Sequence, residues 1–351
     1  MDTKIDIVKA ENSKIGSVDF NNLDFGRVFT DHMFSCEFKN GEWQTPKIMP
    51  YGPLTIDPSA RVFHYGQAVF EGMKAYKDQQ NDVWLFRPED NLERINISSS
   101  RLAMPAFPKD IFFDGLTTLL KLDDQWIQNT EGSSMYIRPF VIATEPAISA
   151  SPAAEYKFMI ILSPAQSYYA GEVRVKIAEK FSRASSGGVG YAKAAGNYAA
   201  QFYPTALAND EGYQQIIWTD SSTHEYLEEA GTMNVFFRIN DTLVTAPTSD
   251  RILDGITRKS VIQLAKDNDI TVEVRQIKVG ELIEAAKNGS LKEIFGSGTA
   301  AVINPILGFK HQDFKHELPK LEETYASMFK SKLNAIQYNT AKDTHGWRYK
   351  V

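Results

Sequence analysis

The stretch that most constrains this chain is a break. Ser163-Pro-Ala-Gln-Ser-Tyr-Tyr-Ala-Gly171 separates two strand-type runs, Tyr156–Leu162 before it and the alternating Glu172–Glu179 after it. Proline lacks the N–H that a sheet ladder needs, and glycine offers no side chain to pack, so the segment breaks the strand pattern and reads as an inter-domain linker. With 351 residues to distribute, a break here gives two parts, each long enough for its own core. The expected boundaries are 1–165 for a smaller first domain, 166–176 for a linker and 177–351 for a larger second domain.

Both parts mix helix and strand, so the expected class is α/β of the mixed kind. In the first, Arg27–Phe38 reads as a strand closed by the turn Lys39-Asn-Gly41, and Pro46, Pro50, Pro53 and Pro58 keep the next stretch extended. Phe70-Glu-Gly72 reads as a helix ending on glycine. Met73–Tyr76 and Val83–Phe86 form a hairpin around Lys77–Asp82. Arg87-Pro-Glu-Asp opens a helix, with proline in its first turn and acids at the positive end of the dipole. That helix carries Arg94, and an arginine on a helix is ordinarily solvated. Phe112–Asn129 has helical spacing, and Met135–Ala143 is a strand rich in branched and aromatic residues. In the second part, helices are expected over Tyr198–Asn209, Thr257–Asp267, Glu281–Lys287 and Leu318–Tyr338. Gln214–Thr219 and Glu293–Phe295 read as strands, and Asn234–Ile239 with Thr242–Thr245 as a hairpin across Asn240-Asp241.

Composition removes several function classes. A formal net charge of −6 and no run of Lys or Arg argue against nucleic acid as a partner. One cysteine, Cys36, excludes an internal disulfide framework and a cysteine-rich metal site, and the six histidines form no HxxxH pair, so no metal is expected. The mixed-charge N-terminus is no secretory signal, and no apolar run reaches membrane-spanning length. A cytoplasmic enzyme with small-molecule substrates and no membrane contact is expected. No GxGxxG follows a strand, and neither a P-loop nor GxSxG occurs.

Chemistry concentrates in Arg183-Ala-Ser-Ser-Gly-Gly-Val-Gly-Tyr-Ala-Lys193-Ala-Ala-Gly-Asn-Tyr198. Glycine lets the backbone approach a ligand closely, and Lys193 has no acidic residue within six positions to pair with locally. A lysine shielded from water becomes a nucleophilic amine, as carbonyl chemistry requires. In Leu227-Glu-Glu-Ala-Gly-Thr-Met-Asn-Val235, a carboxylate precedes a turn. Asp254-Gly-Ile-Thr-Arg258 opens a helix with unpaired N–H groups, and Gly296-Ser-Gly-Thr-Ala300 is a second small-residue loop. An amine, two anion-compatible loops, an arginine and a carboxylate make the inventory of a pyridoxal phosphate enzyme.

These segments, with Phe25-Gly-Arg-Val-Phe-Thr-Asp-His-Met33, Phe70-Glu-Gly-Met-Lys-Ala-Tyr76, Phe86-Arg-Pro-Glu-Asp-Asn and Tyr136-Ile-Arg-Pro139, stand in the order of one family. The chain resembles the branched-chain amino acid aminotransferases of the pyridoxal phosphate fold type IV superfamily, over nearly its whole length. The resemblance implies two domains with the cofactor at their interface, the second domain binding pyridoxal 5′-phosphate. It implies Lys193 as the catalytic amine, Glu229 as partner of the pyridine nitrogen and Tyr198 as donor to the ring oxygen. Arg94, Ile256, Thr257 and Thr299 are implied as the phosphate cup, with Thr232 and Asn234 supporting the glutamate. The substrate site is expected from Phe25, Phe70, Tyr136, Arg138, Thr299 and Ala300. Tyr65, Ile148 and Ala150 are expected to reach in from the partner subunit of a homodimer. The implied reaction is ping-pong transfer of the amino group of leucine, isoleucine or valine to 2-oxoglutarate. A D-amino acid aminotransferase or an aminodeoxychorismate lyase would use the same lysine. The redox CxxC of animal relatives is replaced by Ala301 and Asn304, so thiol regulation of that kind is not expected.

Overall fold

Branched and aromatic runs pair into two sheets, one in each of two contact units. The computed structural model describes residues 4–166 and 172–351. One unit gathers Met1–Tyr168, Ala192–Ala195 and Ala335–Val351; the other gathers Tyr169–Tyr191 and Gly196–Asn334. The expected linker 166–176 falls partly on residues 167–171, outside the described residues, and Val173 already begins a strand.

The first unit contains β1 (Asp6–Ile7), β2 (His32–Lys39), β3 (Glu42–Trp43), β4 (Lys47–Pro50), α1 (Arg61–Tyr65), β5 (Ala68–Phe70), β6 (Met73–Lys77), β7 (Val83–Phe86), α2 (Pro88–Arg101), α3 (Lys109–Leu122), β8 (Ser134–Ala143) and β9 (Tyr156–Ala165). The hairpin of β6 and β7 and the proline-led start of α2 are as expected. Phe70-Glu-Gly72 is not helical. Gly66, at φ 60°, closes the short α1 first, and the chain then pairs Ala68, Val69 and Phe70 with Ile142, Val141 and Phe140 of β8. The helix expected over Phe112–Asn129 ends at Leu122, because the Asp123 carboxylate is taken by the N–H and Nδ1 of His32 on β2. A Cβ at Gly115 would sit 2.3 Å from the Phe34 ring, so glycine allows α3 to lie against β2. The core beneath holds Phe34, Phe107, Phe112 and Phe158, with Phe107 stacked on Phe158 at 3.6 Å.

The second unit holds β10 (Val173–Ile177), α4 (Ala195–Asp210), β11 (Gln215–Thr219), β12 (Leu227–Ala230), β13 (Met233–Ile239), β14 (Thr242–Thr245), α5 (Ile256–Lys266), β15 (Val272–Val274), α6 (Val279–Lys287), β16 (Leu291–Gly298), β17 (Val302–His311) and β18 (Phe314–Glu317); α7 (Tyr325–Gln337) follows. The sheet runs β12-β11-β10-β17-β16-β13-β14-β15, and β12 also pairs with β13, so the path closes on itself. Gly296 extends β16 beyond Phe295 by pairing with Val235 and Asn304, which shortens the expected loop to a turn at Thr299–Ala301. The last helix begins at Tyr325, not Leu318. The N–H groups of Tyr325 and Ala326 donate to the Glu293 carboxylate, which caps the helix from β16. Finally β19 (Arg348–Lys350) returns to the first sheet beside β7, completing the order β1-β4-β2-β9-β8-β6-β7-β19.

Candidate active site

In the first unit, the site is built from one face of α2, the β5–β6 junction and the segment Ala192–Ala195. Asn91, Arg94 and Ser98 share a face of α2 because they are three and four positions apart, and all three are buried. Ser98 Oγ accepts the N–H of Lys193, and the Lys193 carbonyl accepts the N–H of Phe70. The lysine backbone is thus pinned on both sides, and its Nζ lies 4.8 Å from the Phe70 ring centroid. Glu71, the next residue, is fully buried and accepts from Arg94 Nε at 2.6 Å, Arg94 Nη2 at 3.0 Å and Asn91 Nδ2 at 2.7 Å. Burial alone would raise the Glu71 carboxyl above the usual carboxylate range. The Arg94 guanidinium, with help from the Lys193 amine and Asn91, outweighs it and holds the group below that range.

The expected substrate residues of this unit form a chain of contacts. The Arg138 guanidinium lies 4.7 Å from the Phe70 ring and donates to Tyr136 Oη at 3.0 Å, while Phe25 meets the Tyr136 ring edge-on at 4.9 Å. A Cβ at Gly72 would collide with Tyr136 Oη, so glycine lets the phenol approach the β5–β6 junction. Arg138 Nε is buried with no hydrogen-bond partner. Tyr65 and Ile148 stand apart on an exposed surface, joined by the Tyr65 hydroxyl donating to the Ile148 carbonyl; Ala150 is exposed as well.

In the second unit, the register of β12 with β13 sets Glu229 directly beside Asn234. Glu229 Oε1 accepts from Asn234 Nδ2 at 2.9 Å and from the Leu253 N–H at 3.1 Å, and Oε2 pairs with Arg183 Nη2 at 2.5 Å. Arg183 Nη2 also donates to the carbonyls of Gly190 and Arg251. The start of α5 carries Ile256 and Thr257, both buried, with no side-chain cap and no acid in its first turn. Gly255 precedes them, and a Cβ there would fall 1.8 Å from Asn234 Oδ1. Thr299 and Ala300 lie half-buried in the turn before β17, and Val302 follows them with φ 60°. A branched residue rarely accepts that conformation, and such strain gathers at functional turns. Tyr198 is half-buried in the first turn of α4. Thr232 is exposed in the β12–β13 turn, and Asn234 and Arg183 both brace the glutamate.

Two of these pairings carried no signal in the sequence. Arg183 stands 46 positions from Glu229 and Glu71 stands 23 from Arg94, and only folding joins them. Each unit, taken by itself, carries groups of the kind a phosphorylated pyridine aldehyde takes. Lys193 offers an amine against an aromatic face, Glu229 a buried carboxylate for a protonated ring nitrogen, and α5 uncapped N–H groups beside a glycine that leaves room.

The pattern of amino-transferase class IV matches residues 68–308. Branched-chain-amino-acid aminotransferase 2 of Bacillus subtilis (strain 168) is 44% identical, over 98% of this chain and 96% of its own. The branched-chain aminotransferase of Thermoproteus uzoniensis, solved with norvaline, shares the fold at a TM-score of 0.75 and 22% identity, across 91% of this chain and 99% of that one. That of Thermobaculum terrenum, solved in its PLP form, gives a TM-score of 0.73 at 20% identity, across 91% and 98%. The mixed α/β architecture of fold type IV is therefore the one this protein has. The chain therefore belongs to the class IV aminotransferases and, within them, to the branched-chain-amino-acid aminotransferases.

Proposed function

We propose that the protein moves the amino group of leucine, isoleucine or valine to 2-oxoglutarate in two half-reactions, using pyridoxal 5′-phosphate. The observation that carries this reading is Lys193, whose pinned amine lies against Phe70 in the contact chain that includes Tyr136 and Arg138. When bound, the cofactor supplies a sink for the electrons left at the substrate Cα. Lys193 Nζ would take up and return the proton at the substrate Cα. Glu229, braced by Arg183 and Asn234, keeps the ring nitrogen protonated, and Tyr198 donates to the ring oxygen. Arg94, the N–H groups of Ile256 and Thr257, and Thr299 hold the phosphate. The N–H groups of Thr299 and Ala300 hold the substrate carboxylate. Phe25, Phe70 and Tyr136 give an apolar wall for a branched side chain, and Arg138, with its unpartnered Nε, takes the distal carboxylate of glutamate. The protein acts as a homodimer, with Tyr65, Ile148 and Ala150 of the partner subunit closing the site; their exposure supports this. The reading places it in the cytoplasm. No helix among the described residues is long and apolar enough to cross a membrane.

The test is the visible absorbance of purified protein. L-leucine should bleach the cofactor band and 2-oxoglutarate should restore it, one half-reaction each. Bleaching by D-alanine and not by L-leucine would replace this reading with a D-amino acid transaminase. Absence of any band after cofactor is added would remove Lys193 from the chemistry.

A further inference from the structure

Glu71 is a buried anion for which the proposed reaction has no task. It accepts at both oxygens: Oε1 from Arg94 Nε, and Oε2 from Arg94 Nη2, Asn91 Nδ2 and the N–H of Gly72. Its own N–H donates to the Pro139 carbonyl at 2.7 Å, so the backbone that carries it is fixed to β8. Asn91 spans the junction by also donating to the Gly72 carbonyl. A carboxylate so held can act as an anchor. A guanidinium is a planar fork of five N–H donors, and engaging Nε and Nη2 by one carboxylate fixes the plane and the direction of the Nη1–Nη2 edge. Without that clamp, a long arginine side chain samples several rotamers and must be ordered each time it binds an anion. The Glu71 carboxylate also feels the Lys193 charge, so one buried anion faces both cations of the cluster.

We propose that Glu71 is a positioning residue that clamps one edge of Arg94, so that the other edge is presented to a phosphate in a preset orientation. This rests on the reading of Arg94 as a phosphate ligand. Simple charge bookkeeping predicts the opposite, since removing an anion beside an arginine should strengthen phosphate binding. The two accounts therefore differ in sign.

The experiment measures the affinity of the full chain, freed of cofactor, for pyridoxal 5′-phosphate and for pyridoxal. The ratio of the two dissociation constants isolates the phosphate. In Glu71→Gln the preference for the phosphorylated form should fall by about tenfold. In Asn91→Ala, which removes one donor to Glu71 and leaves Arg94 untouched, it should fall by about threefold. In the Arg94→Met background, Glu71→Gln should cause no further fall. A role confined to stability would weaken both ligands together and leave the ratio unchanged. An unchanged or increased ratio in folded Glu71→Gln overturns the proposal; if that variant does not fold, the same result in Asn91→Ala overturns it. A protein with native residues that shows no preference for the phosphorylated form would overturn the phosphate reading of Arg94 and this proposal with it.

Discussion

Arg183 shows how one side chain can set the state of another. Its Nη2 pairs with Glu229, a carboxylate that also accepts from Asn234 Nδ2 and the Leu253 N–H. Both side chains are about 5% exposed, so solvent cannot replace the lost partner. Arg183→Met should destabilise the cofactor-free protein by about 3 kcal/mol, as expected when one half of a buried ion pair is deleted. Arg183→Lys keeps the charge and loses the fork, and should fall between. Denaturant midpoints at neutral pH check both; equal midpoints for all three proteins would show that the pair contributes nothing. At this scale the sequence was legible where chemistry is local. Lys193 stands out among small residues, whereas Glu71 sits in a segment that reads as helix and carries no mark of its pairing with Arg94.

Elements follow the same rule. The β6–β7 hairpin, the start of α2 and the turn at Asn240-Asp241 are legible because their signals lie within a few residues. The start of α7 is not, because its cap is Glu293, more than thirty positions away. The turn after β11 is another element set by one carboxylate. Asp220 accepts the N–H groups of Ser222, Thr223, Glu225 and Tyr226. Burial pushes its carboxyl up, but these donors outweigh burial and hold it at about 2. A carboxyl lowered in the folded state stabilises above its unfolded value, and that stability is lost as pH falls through the folded one. Asp220→Asn keeps the shape and drops the charge. It should cost about 2 kcal/mol at pH 7, and the difference should shrink between about pH 4 and pH 2. Urea melts across that range check it; a difference independent of pH would mean that charge has no part in the turn.

For the whole molecule, the first sheet is finished by residues from the other end of the chain. Arg348–Lys350 pair with Phe86–Trp84, Trp347 packs edge-on against Phe86 and accepts the N–H of Arg87, and Tyr338 packs on Tyr76. Such a three-residue strand has no periodicity to read, so this closure was invisible in the sequence. A chain ending at Tyr338 loses β19 and should expose β7 as an edge. Amide exchange over Trp84–Phe86 should then rise by about tenfold or more, and unchanged protection would show that β19 adds nothing to the sheet.

Closure by β19 also has a consequence during synthesis. A ribosome adds about 5–20 residues per second, so the roughly 260 residues between Phe86 and Arg348 take on the order of ten seconds or more to appear. For that interval the nascent β7 offers unpaired N–H and carbonyl groups to any other strand in reach, including the same strand on a neighbouring nascent chain.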